Sequence, residues 1–388
     1  MKTNSTRLQV VDALRGFAIV AITLLHNIEH YDFYFTPTNL PSWMPAVDLA
    51  IWNTLFFLFS GKAYAIFALL FGLTYYIQSN NQTLKGNDFR ARFAWRLTLL
   101  LGFSLVNSLF YQGDILGTYA IIGFALLPVS KLSNRAVLGI AIFLILQPFE
   151  WINVFVASQN PTITPPDPIS WSYFAKMDSY IKGSSFLDTC FGNITNGRIA
   201  VIHWTWESGR VFQTASLFML GMLAGRTALF ASSKETYRIW RNTLVLSALA
   251  FVPLFLLSTN LNSIVISQAI SKPLYTIISS WSNMAFMLVL VSGFFLLFES
   301  TIFNKPLSIF APLGKMSLSN YIMQSIIGSF IYYGFGLGLY QYTGATYSLI
   351  IGVTLASGQC LFSHWWMNNH KQGPLENLWH KATWMNWK

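Results

Sequence analysis

The sequence predicts an all-α, polytopic membrane helix bundle of about ten transmembrane helices, with both termini cytoplasmic. Three observations predict it. Of 388 residues, 54% are hydrophobic and 10% are charged, against about a quarter charged in an ordinary soluble domain. Apolar windows of about 20 residues, the length of a bilayer crossing, recur along the whole chain. Basic residues, finally, fall mostly on one side of the topology those windows define.

The windows place spans near 9–29, 62–80, 94–111, 115–130, 136–157, 210–229, 242–258, 274–298, 317–337 and 346–367. The first runs past signal-peptide length without a small-residue cleavage site and is expected to stay as a membrane helix. Segment 46–60 is apolar but short and contains Asp48 and Asn53; it reads as an interfacial or re-entrant helix. Residues 1–388 then form one integral membrane domain, with an extracytoplasmic loop at 157–209 and a cytoplasmic tail at 368–388. A division into five plus five helices about that loop is open, without internal sequence symmetry to support it.

With the N-terminus inside, the cytoplasmic segments collect 18 of the 24 basic residues, Lys2, Arg7 and Lys388 among them, and five acids, a net charge of +13. The outer side keeps six bases and nine acids, a net −3. This is the positive-inside distribution, so the overall +10 reports topology rather than nucleic-acid binding. Cys190 and Cys360 lie in distant segments and define neither a disulfide framework nor a metal cluster. In the long loop, PTITPPDPISW forbids a long helix, and Trp171, Tyr173, Phe174, Trp204 and Trp206 suggest a surface or cavity-capping role. Asn193-Ile194-Thr195 matches a glycosylation sequon, a weak three-residue pattern.

The first helix carries the chemistry. Arg15 and His26 are eleven residues apart, about three turns, so both lie on one face roughly 16 Å apart along the axis. Ionisable groups at membrane depth are costly and usually functional. A histidine suits general-base work near neutral pH, and an arginine suits a phosphate-bearing donor; the plain alternative is that Arg15 snorkels to headgroups and His26 reaches the outer interface. His26, Glu29 and His30 also fit the H-x-x-E-H pattern of zinc peptidases, but no downstream acidic ligand is identifiable and no metal is expected.

Further residues extend both ends. Lys62 and Asp114 sit at outer span ends, where Asp114 either caps the following helix or meets a cation and Lys62 is equally an interface anchor. With His26, Glu29, His203, Glu207 and Arg210 they would form an outward-facing polar ring, in which Glu29 or Asp114 orients His26. On the cytoplasmic side, Arg15, Arg92, Arg96 and Lys315 serve topology and lipid headgroups or meet donor phosphates, and Glu376 is expected to pair with an arginine. Asn320, Tyr321 and Gln324 are polar positions inside the ninth span, Asn320 and Gln324 one turn apart as in helix-to-helix hydrogen bonding.

VDALRGFAI, with ten residues between Arg15 and His26, resembles the first-helix signature of membrane acyltransferases of the acyltransferase-three type, whose arginine and histidine are implicated in acyl transfer. GKAYAIFALLFG at 61–72, YQGDILGTYA at 111–120, GKMSLSNYIMQS at 314–325 and GPLENLW at 373–379 resemble the YeiB-like bacterial membrane proteins, a domain-of-unknown-function family related to heparan glucosaminide acetyltransferases. In many YeiB-like relatives the position of His26 holds asparagine and a histidine stands at the position of Asn107. The exchange in this chain either keeps an imidazole in the cavity or leaves neither position catalytic.

The resemblance implies a transmembrane acyltransferase scaffold. The expected function is transfer of an acyl group from cytoplasmic acyl-CoA to an extracytoplasmic hydroxyl or amine, on a small molecule or glycan, in a bacterial inner membrane. His26, Glu29 and Asp114 are the expected catalytic residues, and Arg15, Lys62, Asn107, Asn320, Tyr321 and Gln324 the substrate-binding ones. Acyl-CoA enters as co-substrate, with no covalently bound cofactor; the bilayer is the expected partner, homo-oligomerisation is open and no nucleic acid is expected. The rivals are a transporter or flippase for a small anion or lipid-linked group using the same polar residues, and a non-catalytic membrane sensor.

Overall fold

The computed structural model describes residues 8–385, and every regular element among them is helical. Lys2, Arg7 and Lys388 of the charge count lie outside the described residues. The N-terminal half contains α1 (Gln9–Ile28), α2 (Met44–Phe59), α3 (Ala63–Thr83), α4 (Arg90–Ser108), the pair α5 (Ile115–Gly123) and α6 (Leu126–Val129), and the pair α7 (Asn134–Ile145) and α8 (Pro148–Gln159). Short helices α9 (Ile169–Phe174), α10 (Asp178–Ile181), α11 (Phe186–Gly192) and α12 (Arg198–Glu207) fill the long loop. The rest comprises α13 (Arg210–Arg226), α14 (Lys234–Ile264), α15 (Gln268–Phe298), α16 (Asn304–Ser308), α17 (Phe310–Lys315), α18 (Ser317–Tyr332), α19 (Ala345–Asn369) and α20 (Pro374–Trp384).

Local chemistry sets several boundaries. Asp114 caps α5 by accepting from the Gly117 N–H at 3.0 Å, Ser133 caps α7, and Ser233 with Thr236 forms a capping box on α14, each satisfying backbone donors that a helix start leaves open. Proline opens α8 and α20, where its missing N–H costs nothing. Between α2 and α3, Gly61 has φ +75°, and a Cβ there would come within 2.8 Å of the Asn283 side chain. Only glycine makes that elbow without strain.

Among the described residues, six helical stretches are long and apolar enough to cross a membrane: Gln9–Ile28, Met44–Thr83, Asn134–Gln159, Lys234–Ile264, Gln268–Phe298 and Ala345–Asn369. The expected spans at 94–111, 115–130, 210–229 and 317–337 are helical but fall outside that set. Each has a reason in the chain: α4 opens with Arg90, Arg92 and Arg96, α5 breaks before α6, and α13 and α18 have 17 and 16 residues. Segment 46–60 is helical as α2 and runs through the Gly61 elbow into α3.

Helix α1 is the axis of the bundle, packed against α2, α3, α15, α17, α18 and α19. Two glycine-mediated crossings hold its surroundings close. A Cβ on Gly16 would collide with the Phe310 carbonyl and one on Gly314 with the Asp12 carbonyl; likewise Gly72 lies on the Phe218 carbonyl and Gly221 on the Leu69 carbonyl. Small residues let helix backbones approach in this way. On the periphery, α14 turns Leu246, Leu249, Val252 and Leu256 outward, each more than half exposed. A contiguous apolar face of that size suits a hydrocarbon surrounding, not water.

Candidate functional site

The α1 face that carries Arg15 and His26 borders two cavities. One, of about 510 Å³, is lined by Arg15, Lys85, Arg96, Lys315 and Lys371, with Glu376 the one acid on its wall among the described residues. The other, of about 540 Å³, is lined by His26, Glu29, Asp32, Asp114 and Asp178, with Arg210 the one Lys or Arg among the described residues. Ile22, Tyr64, Ile115 and Tyr321 line both. Ile22 lies seven residues after Arg15 and four before His26, the spacing of one helical face. Thus Arg15 and His26 serve two chambers of opposite charge that meet at a four-residue septum, rather than one common chamber.

In the acidic cavity, His26 Nδ1 lies 3.3 Å from Glu29 Oε2 and 3.2 Å from the Tyr111 hydroxyl. The Tyr34 hydroxyl donates to Glu29 Oε1 at 3.3 Å. Asp32 completes the cluster: one ligand-capable atom from each of His26, Glu29 and Asp32 lies within 4.8 Å of the others. Burial pushes the Asp32 carboxyl up to about 6, with neighbouring Glu29 adding to the shift and Tyr111 opposing it. The chain reaches this position through three consecutive left-handed residues, His30, Tyr31 and Asp32, at φ 48°, 57° and 65°. For non-glycine residues that conformation costs roughly 1–2 kcal/mol each, and such strain gathers at functional sites. Gly113 is the complement, because a Cβ there would strike the Asp32 carboxylate and the Tyr111 hydroxyl.

Aromatic side chains from the long loop, Trp171, Phe174 and Trp204, wall the same cavity. Arg210 is held there with its guanidinium carbon 4.3 Å from the Tyr64 ring and 4.0 Å from the Trp204 ring, a cation–π arrangement.

In the basic cavity, Arg15 donates to Thr74 Oγ1 at 2.9 Å, with Asp12 at 3.5 Å. Arg96 lies 3.6 Å above the Trp379 ring, so α20 supplies a wall. Arg92 instead ties down the end of that helix by donating to the Thr383 and Met385 carbonyls at 2.8 and 3.2 Å. Glu376 does not pair with an arginine as expected. Its carboxylate accepts from the Leu318 and Ser319 N–H groups at 2.7 and 3.0 Å and from the Ser319 hydroxyl at 2.5 Å, because the open N-terminus of α18 is the nearer positive site. Glu376→Gln is expected to cost about 1–2 kcal/mol, read as a lower thermal midpoint of the purified protein.

Several expected site residues lie elsewhere. Asp114 borders the acidic cavity, but its carboxylate already accepts from Ser104 at 2.5 Å, Asn107 at 2.9 Å and Gly117 at 3.0 Å; the capping role accounts for it. Asn107 is fully buried behind it and lines neither cavity. Lys62 lines neither and sits near the Phe57 and Phe286 rings, 5.9 and 5.7 Å from their centroids.

Asn320 donates to Ser363 at 2.9 Å, and Gln324 accepts from Thr23, which joins α1, α18 and α19 in a buried polar seam away from both cavities. Tyr321 alone of that group reaches the septum, its hydroxyl accepting from the Ile115 N–H at 3.2 Å. Glu207 caps α9 through Ile169 N–H at 2.8 Å and Ser170, and His203 stacks on Tyr173. Of the anticipated outer ring, only His26, Glu29, Asp114 and Arg210 share a cavity.

His30 faces the other way from His26, with Nε2 3.0 Å from Ser348 Oγ and 3.2 Å from Thr343 Oγ1, and burial lowers it to about 4. The zinc-peptidase pairing of the two histidines is therefore not formed. The sequon asparagine, Asn193, is buried with its amide donating to the Leu109 carbonyl at 3.3 Å. Both cysteines are free. Asp32 and Tyr111 were not anticipated as site residues, although His26, Glu29 and Asp32 recur at every third position.

Over the described residues, fold and site together define an all-helical protein with six candidate membrane-spanning helices and two adjoining cavities of opposite charge. Comparison with known proteins places it among uncharacterised relatives. A family described as "Protein of unknown function (DUF418)" matches residues 224–386. The chain is similar to the uncharacterized protein YeiB of Escherichia coli (strain K12), 27% identical over 96% of this chain and 95% of that protein. It is also similar to the uncharacterized protein YxaH of Bacillus subtilis (strain 168), 26% identical over 99% of this chain and 96% of that protein. An uncharacterized 39.9 kDa protein of Bacillus acidopullulyticus is 22% identical over 97% and 94%. The resemblance to YeiB-like proteins thus runs along nearly the whole chain. No solved structure matches.

Proposed function

We propose that this protein is a bacterial inner-membrane acyltransferase of about ten spans with cytoplasmic termini, taking an acyl group from acyl-CoA in the basic cavity and passing it to a hydroxyl or amine in the acidic cavity. The observation that carries the reading is the septum: Ile22, Tyr64, Ile115 and Tyr321 border both cavities, so a thioester arm entering past Arg15 would present its carbonyl beside the acceptor. Five basic residues against one acid suit the donor's phosphates, and the Arg96–Trp379 pair suits its purine. Arg15, Lys85, Arg96, Lys315 and Lys371 then lie toward the cytoplasm, in keeping with the positive-inside distribution.

His26 takes the acceptor's proton as its oxygen or nitrogen attacks the thioester carbonyl. The tetrahedral intermediate collapses, the carbon–sulfur bond breaks, and the imidazolium returns its proton to the leaving thiolate. Products are the acylated acceptor and free CoA. Glu29, 3.3 Å from Nδ1, orients the ring.

The test is purified protein with acyl-labelled acetyl-CoA and panels of sugar hydroxyls and amines. Label on an acceptor, with release of free CoA, supports the reading; an intact donor under every acceptor rejects it. Arg96→Ala is expected to raise the donor KM roughly tenfold or more, the size of a lost charged hydrogen bond, with little change in the acceptor KM. The same septum also suits a transporter, since two cavities separated by a thin barrier are what alternating access requires. Uptake of a labelled anion into vesicles without covalent product would favour that second reading.

A further inference from the structure

We propose that His26, Glu29 and Asp32 form a divalent-cation site in the acidic cavity, and that a bound cation takes the imidazole out of proton transfer. The consequence for transfer rests on the proposed function; the binding does not.

The first support is distance. One atom from each residue lies within 4.8 Å of the other two, and His26 Nδ1 stands 3.3 Å from Glu29 Oε2 and 3.2 Å from the Tyr111 hydroxyl. A charge-assisted hydrogen bond between imidazolium and carboxylate closes to ~2.7–2.9 Å. The edge of a tetrahedron about a zinc ion with ligands at ~2.0–2.1 Å is ~3.3–3.4 Å. The His26–Glu29 separation is close to that edge, and the Asp32 oxygen, within 4.8 Å, closes in on the ion as it binds.

The second support is the backbone. An extended exit from α1 would carry residue 32 away from residue 26, whereas three successive left-handed residues curl the chain back over the helix end and deliver a third ligand. Gly113 leaves the space into which that carboxylate fits.

The surroundings complete a metal-binding arrangement. Tyr34 holds the far oxygen of Glu29 at 3.3 Å, the kind of supporting contact that orients a ligating carboxylate. One imidazole and two carboxylates suit zinc or manganese better than magnesium or copper(I). The remaining coordination positions open into the 540 Å³ cavity, so the ion can enter and exchange. Arg210, the nearby competing cation, is engaged by Tyr64 and Trp204.

The experiment is zinc titration of the purified protein by calorimetry, with cobalt(II) absorption as a direct report of coordination. The expected result is one equivalent of zinc bound at micromolar or tighter affinity, a four-coordinate cobalt spectrum, and at least tenfold weaker binding in His26→Ala, Glu29→Gln and Asp32→Asn. Asp178→Asn is the control: this residue lines the same cavity but pairs with Lys182 at 2.5 Å, and its variant should bind zinc as the parent does. No zinc binding by the parent protein overturns the proposal, as does an equal loss in Asp178→Asn, which would indicate diffuse attraction to an acidic cavity. A thermal melt of each variant separates loss of a ligand from loss of fold. Acyl transfer without zinc binding refutes the site and leaves the enzyme; zinc binding without acyl transfer does the reverse.

Discussion

His26→Ala is expected to lower the acyl-transfer rate by ~10²–10⁴-fold, the range a positioned general base supplies, while leaving donor affinity close to that of the parent protein. The separation follows from geometry. The imidazole lines only the acidic cavity, whereas the groups assigned to the donor line only the basic one, so removing the base should act on kcat and spare the donor KM. The alanine also removes the ring that packs against Tyr111 at 4.9 Å, and a thermal melt beside the kinetics identifies any loss of fold. Tyr111→Phe should have a smaller effect, since it removes one hydroxyl and keeps the ring. Full activity of His26→Ala would remove the assigned base.

The largest effect on stability is expected at the α3–α13 crossing. Gly72→Val and Gly221→Val each force a side chain into a backbone carbonyl of the facing helix, that of Phe218 or Leu69. Backbone cannot turn aside as a flexible side chain does, so the helices must separate and the core of Leu70, Leu73, Leu217 and Phe218 must open. Overpacking of this kind costs roughly 3 kcal/mol or more, a large share of the stability of most folds. The expected result is loss of monodisperse protein on solubilisation, measured by size-exclusion profile and thermal midpoint. Gly102→Ala on α4 is the comparison: a Cβ there meets nothing within 4 Å, and alanine favours a helix interior by up to about 1 kcal/mol. Equal yields of Gly72→Val and Gly102→Ala would contradict the close crossing.

Much of this arrangement was legible in the chain. Hydropathy placed the expected spans on largely helical segments, six of them within stretches long and apolar enough to cross a membrane, and the eleven-residue interval between Arg15 and His26 put both on the α1 face that borders the cavities. Periodicity could not reveal which polar residues close on one another across helices. Asn320 and Gln324 read as site residues because a buried amide in an apolar helix is conspicuous, and Asn107 through the resemblance to relatives with a histidine there, yet each is engaged at one end of its amide by a neighbouring helix or cap. Asp32 went unnoticed for the opposite reason: it lies beyond the end of α1, where helical spacing stops being a guide, and only the left-handed turn returns it to His26. Nor does sequence show that Glu376 would find a helix N-terminus before it found an arginine, since that choice depends on how α20 docks against α18.

In the proposed reaction, a donor on the Arg15 side and an acceptor on the His26 side meet across Ile22, Tyr64, Ile115 and Tyr321. Its most direct test is protein reconstituted in sealed vesicles, with an impermeant acceptor enclosed and acetyl-CoA, labelled separately in its acyl and nucleotide parts, supplied outside. Acyl label is expected to reach the enclosed acceptor while the nucleotide label stays outside, in those molecules whose basic cavity faces outward. Nucleotide label inside the vesicle, or acyl label only on molecules that share a compartment with the donor, would contradict it.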